Sequence, residues 1–257
     1  MYKSKKVSDS LQSNWFEDWF NSSYYHILYK HRNCDEAELF IDNLITFLQP
    51  KKGAQFLDIA CGKGRHAIYL NKKGFTVTGT DLAEESIAEA SKFENQNLSF
   101  FVHDMRRVFR VNYFDYVLNL FTSFGYFENE KDDLATIHAI CKTLKSTGTF
   151  VFDFFNVKKV IATLVDTETK IIDNIEFKIT RHIENNFIIK HILVTDNGTQ
   201  FSFQERVKAL TITDFEKYFA ANKLKIVHLF GNYQLEKYNE NDSDRLIIIA
   251  KKEESRV

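Results

Sequence analysis

Asp58 and two glycines form the part of this sequence best suited to binding a ligand. They lie within residues 57–64, LDIACGKG, where an apolar strand is predicted to turn into a helix, and the glycines are Gly62 and Gly64. Glycines at such a turn let the backbone approach a ligand closely and leave N–H groups at the start of the helix free. A carboxylate beside them can accept hydrogen bonds from a ligand amine.

Two further aspartates follow at the ends of the next two predicted strands. Asp81 comes 19 residues after Gly62 (81 − 62), where an acidic residue can accept hydrogen bonds from both hydroxyls of a ribose. Asp104, followed by Met105, ends the third strand, where its carboxylate can accept a hydrogen bond from an adenine amino group. The three carboxylates therefore predict that one edge of the sheet binds a nucleotide.

The elements that must position these residues alternate along the chain. Strands are predicted at 55–60, 75–80, 98–102, 114–120, 148–154, 225–230 and 245–251, and helices at 64–73, 84–94, 129–144 and 213–221. This alternation is typical of an α/β protein with a doubly wound, mostly parallel sheet that carries helices on both faces.

Two segments depart from the alternation. Residues 15–48 have apolar residues at helical spacing, and Pro50 follows. After strand five, strands are predicted at 175–184, 187–195 and 200–210 without helices between them, and Asn185-Asn186 suits a two-residue hairpin turn. The sequence therefore predicts N-terminal helices and an antiparallel β insertion.

The composition excludes several classes of protein. The 257 residues include 34 Lys and Arg against 35 Asp and Glu, whereas proteins that grip nucleic acid usually carry a basic surplus, so we expect no nucleic-acid partner. No run approaches the roughly 18 apolar residues of a membrane span. The polar residues 1–14 do not resemble a signal peptide, and we expect no membrane partner and a cytoplasmic location. Cys34, Cys61 and Cys141 lack zinc-site or disulfide spacing, and no metal is expected.

The strand-end residues together resemble those of the class I S-adenosylmethionine (SAM)-dependent methyltransferases. The first motif of that family is D/E-x-G-x-G-x-G, and residues 58–64 read DIACGKG, with Ala60 at the first glycine. The pairs Asp81-Leu82 and Asp104-Met105 and the segment 119–121 also match, so the resemblance covers about residues 55–153. It implies a Rossmann-like methyltransferase fold and SAM as the cofactor.

A narrower resemblance points to small-molecule N-methyltransferases, such as the amino-sugar N,N-dimethyltransferases and glycine N-methyltransferase. It rests on residues 103–106, 114–115 and 120–126, and on Tyr25 and Tyr29 followed by Arg32, which by this resemblance pairs with the cofactor carboxylate. The implied cofactor-binding residues are Tyr25, Arg32, Asp58, Ala60, Cys61, Gly62, Gly64, Asp81, Leu82, Asp104, Met105 and Leu120.

The resemblance also implies three parts of the chain. Residues 1–50 form an N-terminal tail and helical lid, 51–156 with 211–257 form the SAM-binding domain, and 157–210 form the insertion, which we expect to cap the substrate. The expected partner is a small-molecule methyl acceptor, and a homodimer is left open.

The expected reaction is methyl transfer from SAM to a nitrogen or oxygen of that acceptor. The sequence does not identify a catalytic residue; the candidates are Tyr126, His26 and Asn156, with Glu205 and Arg206 on the insertion. Two alternatives remain open. Residues 62–67 also fit the G-x-G-x-x-A loop of an NAD-dependent oxidoreductase, and the chain could bind SAM without catalysis.

Overall fold

The strands of the protein form two separate sheets. The computed structural model describes residues 15–30 and 34–253. The strands are β1 (Gln55–Ile59), β2 (Thr76–Asp81), β3 (Leu98–Val102), β4 (Phe114–Asn119), β5 (Leu144–Phe155), β6 (Thr167–Ile172), β7 (Ile175–Glu184), β8 (Phe187–Asp196), β9 (Thr199–Lys208), β10 (Leu224–Phe230) and β11 (Arg245–Lys252). The larger sheet has seven strands in the order β10-β11-β5-β4-β1-β2-β3, and the smaller has four in the order β6-β7-β8-β9.

Helices lie between most of these strands. They are α1 (Trp15–Phe20), α2 (Ser23–Leu28), α3 (Cys34–Leu48), α4 (Arg65–Lys72), α5 (Glu84–Ala90), α6 (Glu130–Thr143), α7 (Val157–Ala162) and α8 (Ile212–Ala221). Among the helices of the described ranges, none combines the length and the apolar character needed to cross a bilayer.

The larger sheet is parallel except at one side. Strand β1 lies between β2 and β4, and parallel pairing extends outward to β3 and β5. Strand β11 pairs antiparallel with both β5 and β10. The predicted doubly wound, mostly parallel α/β sheet is therefore confirmed. The strand order reverses between β1 and β4, and such a switch point opens a crevice at the carboxyl ends of the strands.

Helices cover both faces of this sheet because side chains alternate along each strand. In β1, Phe56 packs on one face with Phe40 of α3 and Leu70 of α4. The next residue, Leu57, packs on the opposite face in a cluster that includes Phe215 of α8. Two buried clusters therefore pack against opposite faces of the larger sheet.

The structure divides the predicted lid segment, residues 1–50, differently from the sequence prediction. Helix α3 buries Phe40, Ile41 and Leu44 against the larger sheet, so it belongs to the central core. Helices α1 and α2 instead pack on the smaller sheet. Residues 1–14 lie outside the described residues.

The smaller sheet confirms the antiparallel insertion and extends it. Asn185 and Asn186 adopt φ values of 49° and 63° in the predicted hairpin turn between β7 and β8. Helix α7 and strand β6 were not predicted. The six residues of β6, TETKII, are polar for most of their length and mostly exposed at a sheet edge, so they carry little of the alternation that marks a strand.

Helices α1 and α2 and the smaller sheet form one unit, which we call the roof. Trp19 and Leu28 join Phe177, Ile192 and Val194 in a third buried cluster that is separate from the two central ones. Because the roof has its own apolar core, its two helices and four strands are packed against one another as one unit.

The roof is attached to the larger sheet by a buried ion pair. Lys208 at the end of β9 pairs with Asp133 of α6 through their side chains, and the Lys208 N–H donates to the Gly125 carbonyl at 2.8 Å. Gly125 lies in the segment after β4, so the end of β9 joins the roof to the edge of the site.

Candidate functional site

One cavity of about 350 Å³ lies at the carboxyl edge of the parallel strands, beneath the roof. Its size is in the range of small-molecule and cofactor sites. The structure brings most of the predicted residues to its wall, namely Tyr25, His26, Asp58, Ala60, Cys61, Gly62, Asp81, Leu82, Asp104, Met105, Leu120 and Tyr126.

Of the predicted residues outside the insertion, Gly64 and Asn156 lie elsewhere in the described part of the chain, and Arg32 lies outside it. A Cβ on Gly64, whose φ is 76°, would lie 2.6 Å from Phe100 Cε1, so this glycine permits the packing of α4 on β3 rather than lining the cavity. The amide of Asn156 donates to the carbonyls of Glu240 and Ser243, both at 2.8 Å, and the residue is buried away from the cavity. Arg32 falls outside the described residues.

The turn after β1 gives the cavity its first wall. Ala60 has a φ of 55°, a left-handed conformation that disfavours a side chain, and the family motif has glycine at this position. The Cys61 N–H donates to the Thr80 carbonyl at 3.0 Å and ties the turn to β2. Apart from its own chain neighbours, no described residue has an atom within 4 Å of where a Cβ of Gly62 would be, so the backbone here faces open space.

Asp58 is a buried carboxylate at the floor of the cavity. Its side chain is 1% exposed, and its Oδ2 atom finds no hydrogen-bond partner among the described residues. The pKa of Asp58 is raised to about 7: burial is the largest cause and the charge of Asp81 adds to it, while Arg65 and the Ala67 N–H act in the opposite direction. A buried, unpartnered acceptor is unfavourable, and a cationic ligand group would satisfy it.

Asp81 at the end of β2 is held by two backbone groups. Its Oδ2 accepts from the Gly62 N–H at 2.7 Å and its Oδ1 from the Ala83 N–H at 2.9 Å. Burial raises the pKa of Asp81, and these N–H groups lower it. Each carboxylate oxygen can accept more than one hydrogen bond, so Asp81 can also accept hydrogen bonds from ligand hydroxyls.

Asp104 is engaged by a residue that the sequence analysis did not single out. Arg106 donates from Nε to both carboxylate oxygens of Asp104 at 3.0 Å, and from Nη2 to Oδ2 at 2.7 Å. Burial raises the pKa of Asp104, but the contacts with Arg106 outweigh it and leave the pKa below its usual value. The guanidinium also lies 4.9 Å from the centre of the Phe127 ring.

The segment after β4 forms the wall opposite Asp81. Arg65, at the start of α4, places its guanidinium 4.3 Å from the centre of the Phe121 ring, and both residues line the cavity. The Tyr126 hydroxyl donates to the Thr122 carbonyl, which folds the segment back on itself.

The roof closes the cavity with aromatic side chains. Trp15 and Phe20 of α1 each lie with their ring centres 5.5 Å from that of Tyr126. Tyr25 and His26 of α2 line the same space. Burial and the nearby Lys63 lower the pKa of His26, while Glu85 raises it. The imidazole is therefore neutral at pH 7 and can accept a proton.

Several cavity residues were missed by the sequence analysis, including Phe16, Phe20, Arg65, His66 and Ser123. Phe16 and Phe20 are four residues apart on α1 and so share one helix face, a signal that could have marked them. Arg65 and His66 lie in the loop 62–67 and Ser123 in the segment 120–126, but none of the three was named as a site residue. The two insertion candidates lie among roof contacts: Glu205 accepts from Trp19 Nε1 at 2.7 Å, and Arg206 lies over the Phe187 ring.

The residues of this cavity fit an adenosyl amino acid such as SAM. Asp81 can receive ribose hydroxyls, while Asp58 offers the one unpartnered buried acceptor described along this wall to an amine. Leu82 and Met105 supply apolar surface for a purine ring. An NAD-dependent oxidoreductase is less well matched, because a dinucleotide leaves Asp58 and the Asp104-Met105 pair without a role.

Comparison with known proteins supports this interpretation. Residues 56–148 match the family model described as a methyltransferase domain. The putative methyltransferase YqeM of Bacillus subtilis is 32% identical over 149 residues, which are 57% of this chain and 58% of that protein. The match thus spans little more than half of the length of this relative.

Two further similarities extend over more of the chain. The dTDP-3-amino-3,4,6-trideoxy-alpha-D-glucopyranose N,N-dimethyltransferase of Streptomyces venezuelae is 23% identical over 218 residues, 80% of this chain and 91% of that protein. A SAM-dependent methyltransferase structure from Clostridium acetobutylicum shares the fold with a TM-score of 0.75 at 21% identity, covering 89% of this chain and 96% of that one. The sheet order and the strand-end carboxylates agree with these matches: the chain carries a methyltransferase domain at residues 56–148, within a fold that it shares with SAM-dependent methyltransferases.

Proposed function

We propose that the protein transfers the methyl group of SAM to a nitrogen of a small-molecule amine. The observation that carries this proposal is the cavity itself, in which three strand-end carboxylates face a wall of aromatic roof residues. The relative from Streptomyces venezuelae, named as an amino-sugar N,N-dimethyltransferase, supports an amine acceptor because its similarity covers 80% of this chain.

The carboxylates bind the cofactor in this proposal. Asp81 accepts the ribose hydroxyls, Asp58 accepts the amine of the methionine moiety, and Leu82 with Met105 holds the adenine. When bound, SAM supplies an electrophilic methyl group on a positively charged sulfur. The remaining task of the protein is to align the acceptor and exclude water.

The aromatic wall holds the acceptor. Phe16, Phe20, Tyr25, Tyr126 and Phe127 line the part of the cavity toward the roof. Aromatic faces attract ammonium groups and exclude water, which suits an amine that binds in its protonated form. Because the roof covers the site, a small molecule fits better than the surface of a folded protein.

His26 accepts the proton that the amine must lose before its nitrogen can attack. Its lowered pKa, caused by burial and by Lys63, keeps the ring neutral at pH 7. Tyr126, which lines the cavity, orients the methyl acceptor: because its hydroxyl hydrogen is donated to the Thr122 carbonyl, its oxygen can act toward a bound amine only as a hydrogen-bond acceptor.

Calorimetric titration with S-adenosylhomocysteine, SAM and NADH tests the cofactor. We expect both adenosyl sulfur compounds to bind and NADH to give no heat of binding. Binding of NADH without SAM would refute the proposal and favour the oxidoreductase alternative.

A panel of primary and secondary amines, amino sugars, alcohols and carboxylic acids then tests the acceptor, with release of S-adenosylhomocysteine as the readout. Turnover confined to amines is expected. His26→Gln should lower kcat about 100-fold at pH 7 with a smaller loss at higher pH, where the amine is already neutral. Turnover with alcohols alone, or tight SAM binding without turnover of any compound, would contradict N-methylation.

A further inference from the structure

Two consecutive residues after β4 adopt a conformation that side chains rarely take. Phe121 has a φ of 64° and Thr122 a φ of 61°, both in the left-handed region. Neither is a glycine, so the conformation is unfavourable for each of them and persists only where surrounding contacts enforce it. The two residues join the end of β4 to the wall of the cavity.

Asp153 on the neighbouring strand β5 supplies those contacts. Its Oδ2 atom accepts from the Phe121 N–H at 2.8 Å, and its backbone carbonyl accepts from the Thr122 N–H at 3.0 Å. The aspartate is 1% exposed and interrupts an otherwise apolar run, FVFDFF, in the middle of the sheet. One residue therefore binds both N–H groups of the left-handed pair.

Asp153 is itself fixed by two side chains from the end of the sequence. Arg245 Nε donates to Oδ1 at 2.8 Å, and the Tyr233 hydroxyl donates to Oδ2 at 3.0 Å. Arg245 Nη2 also donates to Thr122 Oγ1 at 3.0 Å. The network thus holds the left-handed pair through its backbone and through one side chain.

The network ends on the wall of the cavity rather than within the sheet. The Phe121 ring lies 4.3 Å from the guanidinium carbon of Arg65, and Arg65 and Phe121 line the cavity together with Asp58. A buried ion pair is usually no more stabilising than apolar residues of the same volume, so core stability alone does not explain Asp153 and Arg245.

We propose that Asp153, with Arg245, is a positioning residue that locks Phe121 and Thr122 in the left-handed conformation and so sets the cofactor wall. This inference rests on the proposed function, because it assumes that the cavity binds SAM. Asp153 acts through Phe121 and does not itself line the cavity, as far as the described residues show.

Asp153→Asn tests the inference, with S-adenosylhomocysteine as the calorimetric probe. The amide keeps an oxygen for the Phe121 N–H but loses the charge that holds Arg245, and we expect affinity about tenfold weaker.

Asp115→Asn is the matched control. Asp115 also accepts from a backbone N–H, that of Gln55 at 2.9 Å, and pairs with Lys145 at 2.8 Å, but at the opposite end of the sheet. Its affinity should stay within about twofold of the unchanged protein.

A rescue separates positioning from general stability. Glycine adopts positive φ without penalty, so Thr122→Gly added to Asp153→Asn should restore affinity to within about threefold of the unchanged protein. A purely structural loss would lower the urea midpoint and would not be rescued in affinity. Unchanged affinity in Asp153→Asn, or a loss that Thr122→Gly does not reduce, would overturn the inference.

If Asp153→Asn does not fold, Arg245→Lys is used for the same binding experiment. It keeps the positive charge but loses the planar contact to Thr122, and about threefold weaker binding is expected, against unchanged binding if the inference is wrong. Failure of the unchanged protein to bind S-adenosylhomocysteine would instead refute the proposed function, so the two failures are distinguishable.

Discussion

Asp58 is expected to lower the stability of the folded protein while it contributes to the proposed binding of the cofactor. Its buried carboxylate lacks a partner for Oδ2 among the described residues, and burial raises its pKa from 3.8 to about 7. A raised carboxylate pKa means that the ionised form is disfavoured by folding. We therefore expect Asp58→Asn to increase stability while weakening the cofactor site.

The stability gain has a defined pH window. Above the unfolded pKa the unfolded chain loses its proton while the folded protein keeps it, so the wild type loses stability as pH rises from about 4 to about 7. Asp58→Asn avoids this loss, which amounts to at most about 4 kcal/mol at neutral pH. Thermal unfolding of both proteins at about pH 4 and pH 8 measures the difference, which should be larger at the higher pH.

Affinity for S-adenosylhomocysteine should change in the opposite direction. Asp58→Asn removes a charge-assisted hydrogen bond, and we expect binding roughly 10- to 100-fold weaker. In the wild type, affinity should rise from about pH 5.5 to about pH 7.5 as the carboxylate ionises, whereas the variant should show no such rise. A variant that is both less stable and equally tight in binding would contradict the role of Asp58.

At the scale of elements, α3 belongs to the central core rather than to the roof. Phe40 is 1% exposed and packs with Phe56 and Leu118 of the larger sheet, whereas Leu39 on the same helix is 44% exposed. We expect Phe40→Ala to lower the free energy of unfolding by about 3–5 kcal/mol. Leu39→Ala, the control, should cost below about 1 kcal/mol in urea denaturation. Equal costs would contradict this placement of α3.

Glu205 fastens α1 and α2 to the smaller sheet. Its Oε1 accepts from Trp19 Nε1 and from the Tyr29 hydroxyl, both at 2.7 Å, and its Oε2 lies 3.2 Å from Lys190 Nζ. Glu205→Ala removes a largely buried carboxylate and leaves Trp19, Tyr29 and Lys190 without this shared partner. We expect the backbone amides of residues 15–28 to exchange with solvent about tenfold faster, while those of β1 and β4 keep their rates.

Glu168→Ala is the control for this prediction. Glu168 also pairs with two basic groups of the smaller sheet, Arg181 and Lys170, and these pairs lie within β6 and β7. It should leave exchange in residues 15–28 unchanged. Equal acceleration by both substitutions would mean that the roof loosens as a whole and that Glu205 has no special part in fastening the helices.

At the scale of the whole molecule, the cavity lies between the larger sheet and the roof, which have separate cores. A ligand in the cavity touches both parts and should couple them. We expect S-adenosylhomocysteine at about 100 times its Kd to stabilise the protein by about 2.7 kcal/mol and to slow exchange in α1 and α2 as well as in β1 and β2. NADH at the same concentration should change neither. Protection confined to β1 and β2 would show that the ligand does not engage the roof.

The fold of the larger sheet followed from local patterns. Alternating apolar strands and helices predicted the parallel sheet, and Asp58, Asp81 and Asp104 were predicted to meet because parallel strands end at one edge. Each acid lies at or just beyond the end of its own strand, and the structure places all three on the wall of one cavity. Gly64 and Asn156 differ, because their neighbours Phe100 and Glu240 are distant in sequence and only packing brought them together.

By itself, therefore, the sequence determined the α/β class, the strand-end carboxylates and the antiparallel insertion, all of which depend on residues within one or two elements. Only the tertiary structure decided that α3 joins the central core, that α1 and α2 build a roof with the smaller sheet, and that Asp153 holds Phe121 and Thr122. These features rest on contacts across long separations, such as the 186 residues between Trp19 and Glu205. Periodicity reports which face of an element is apolar, but it does not report which distant surface will cover that face.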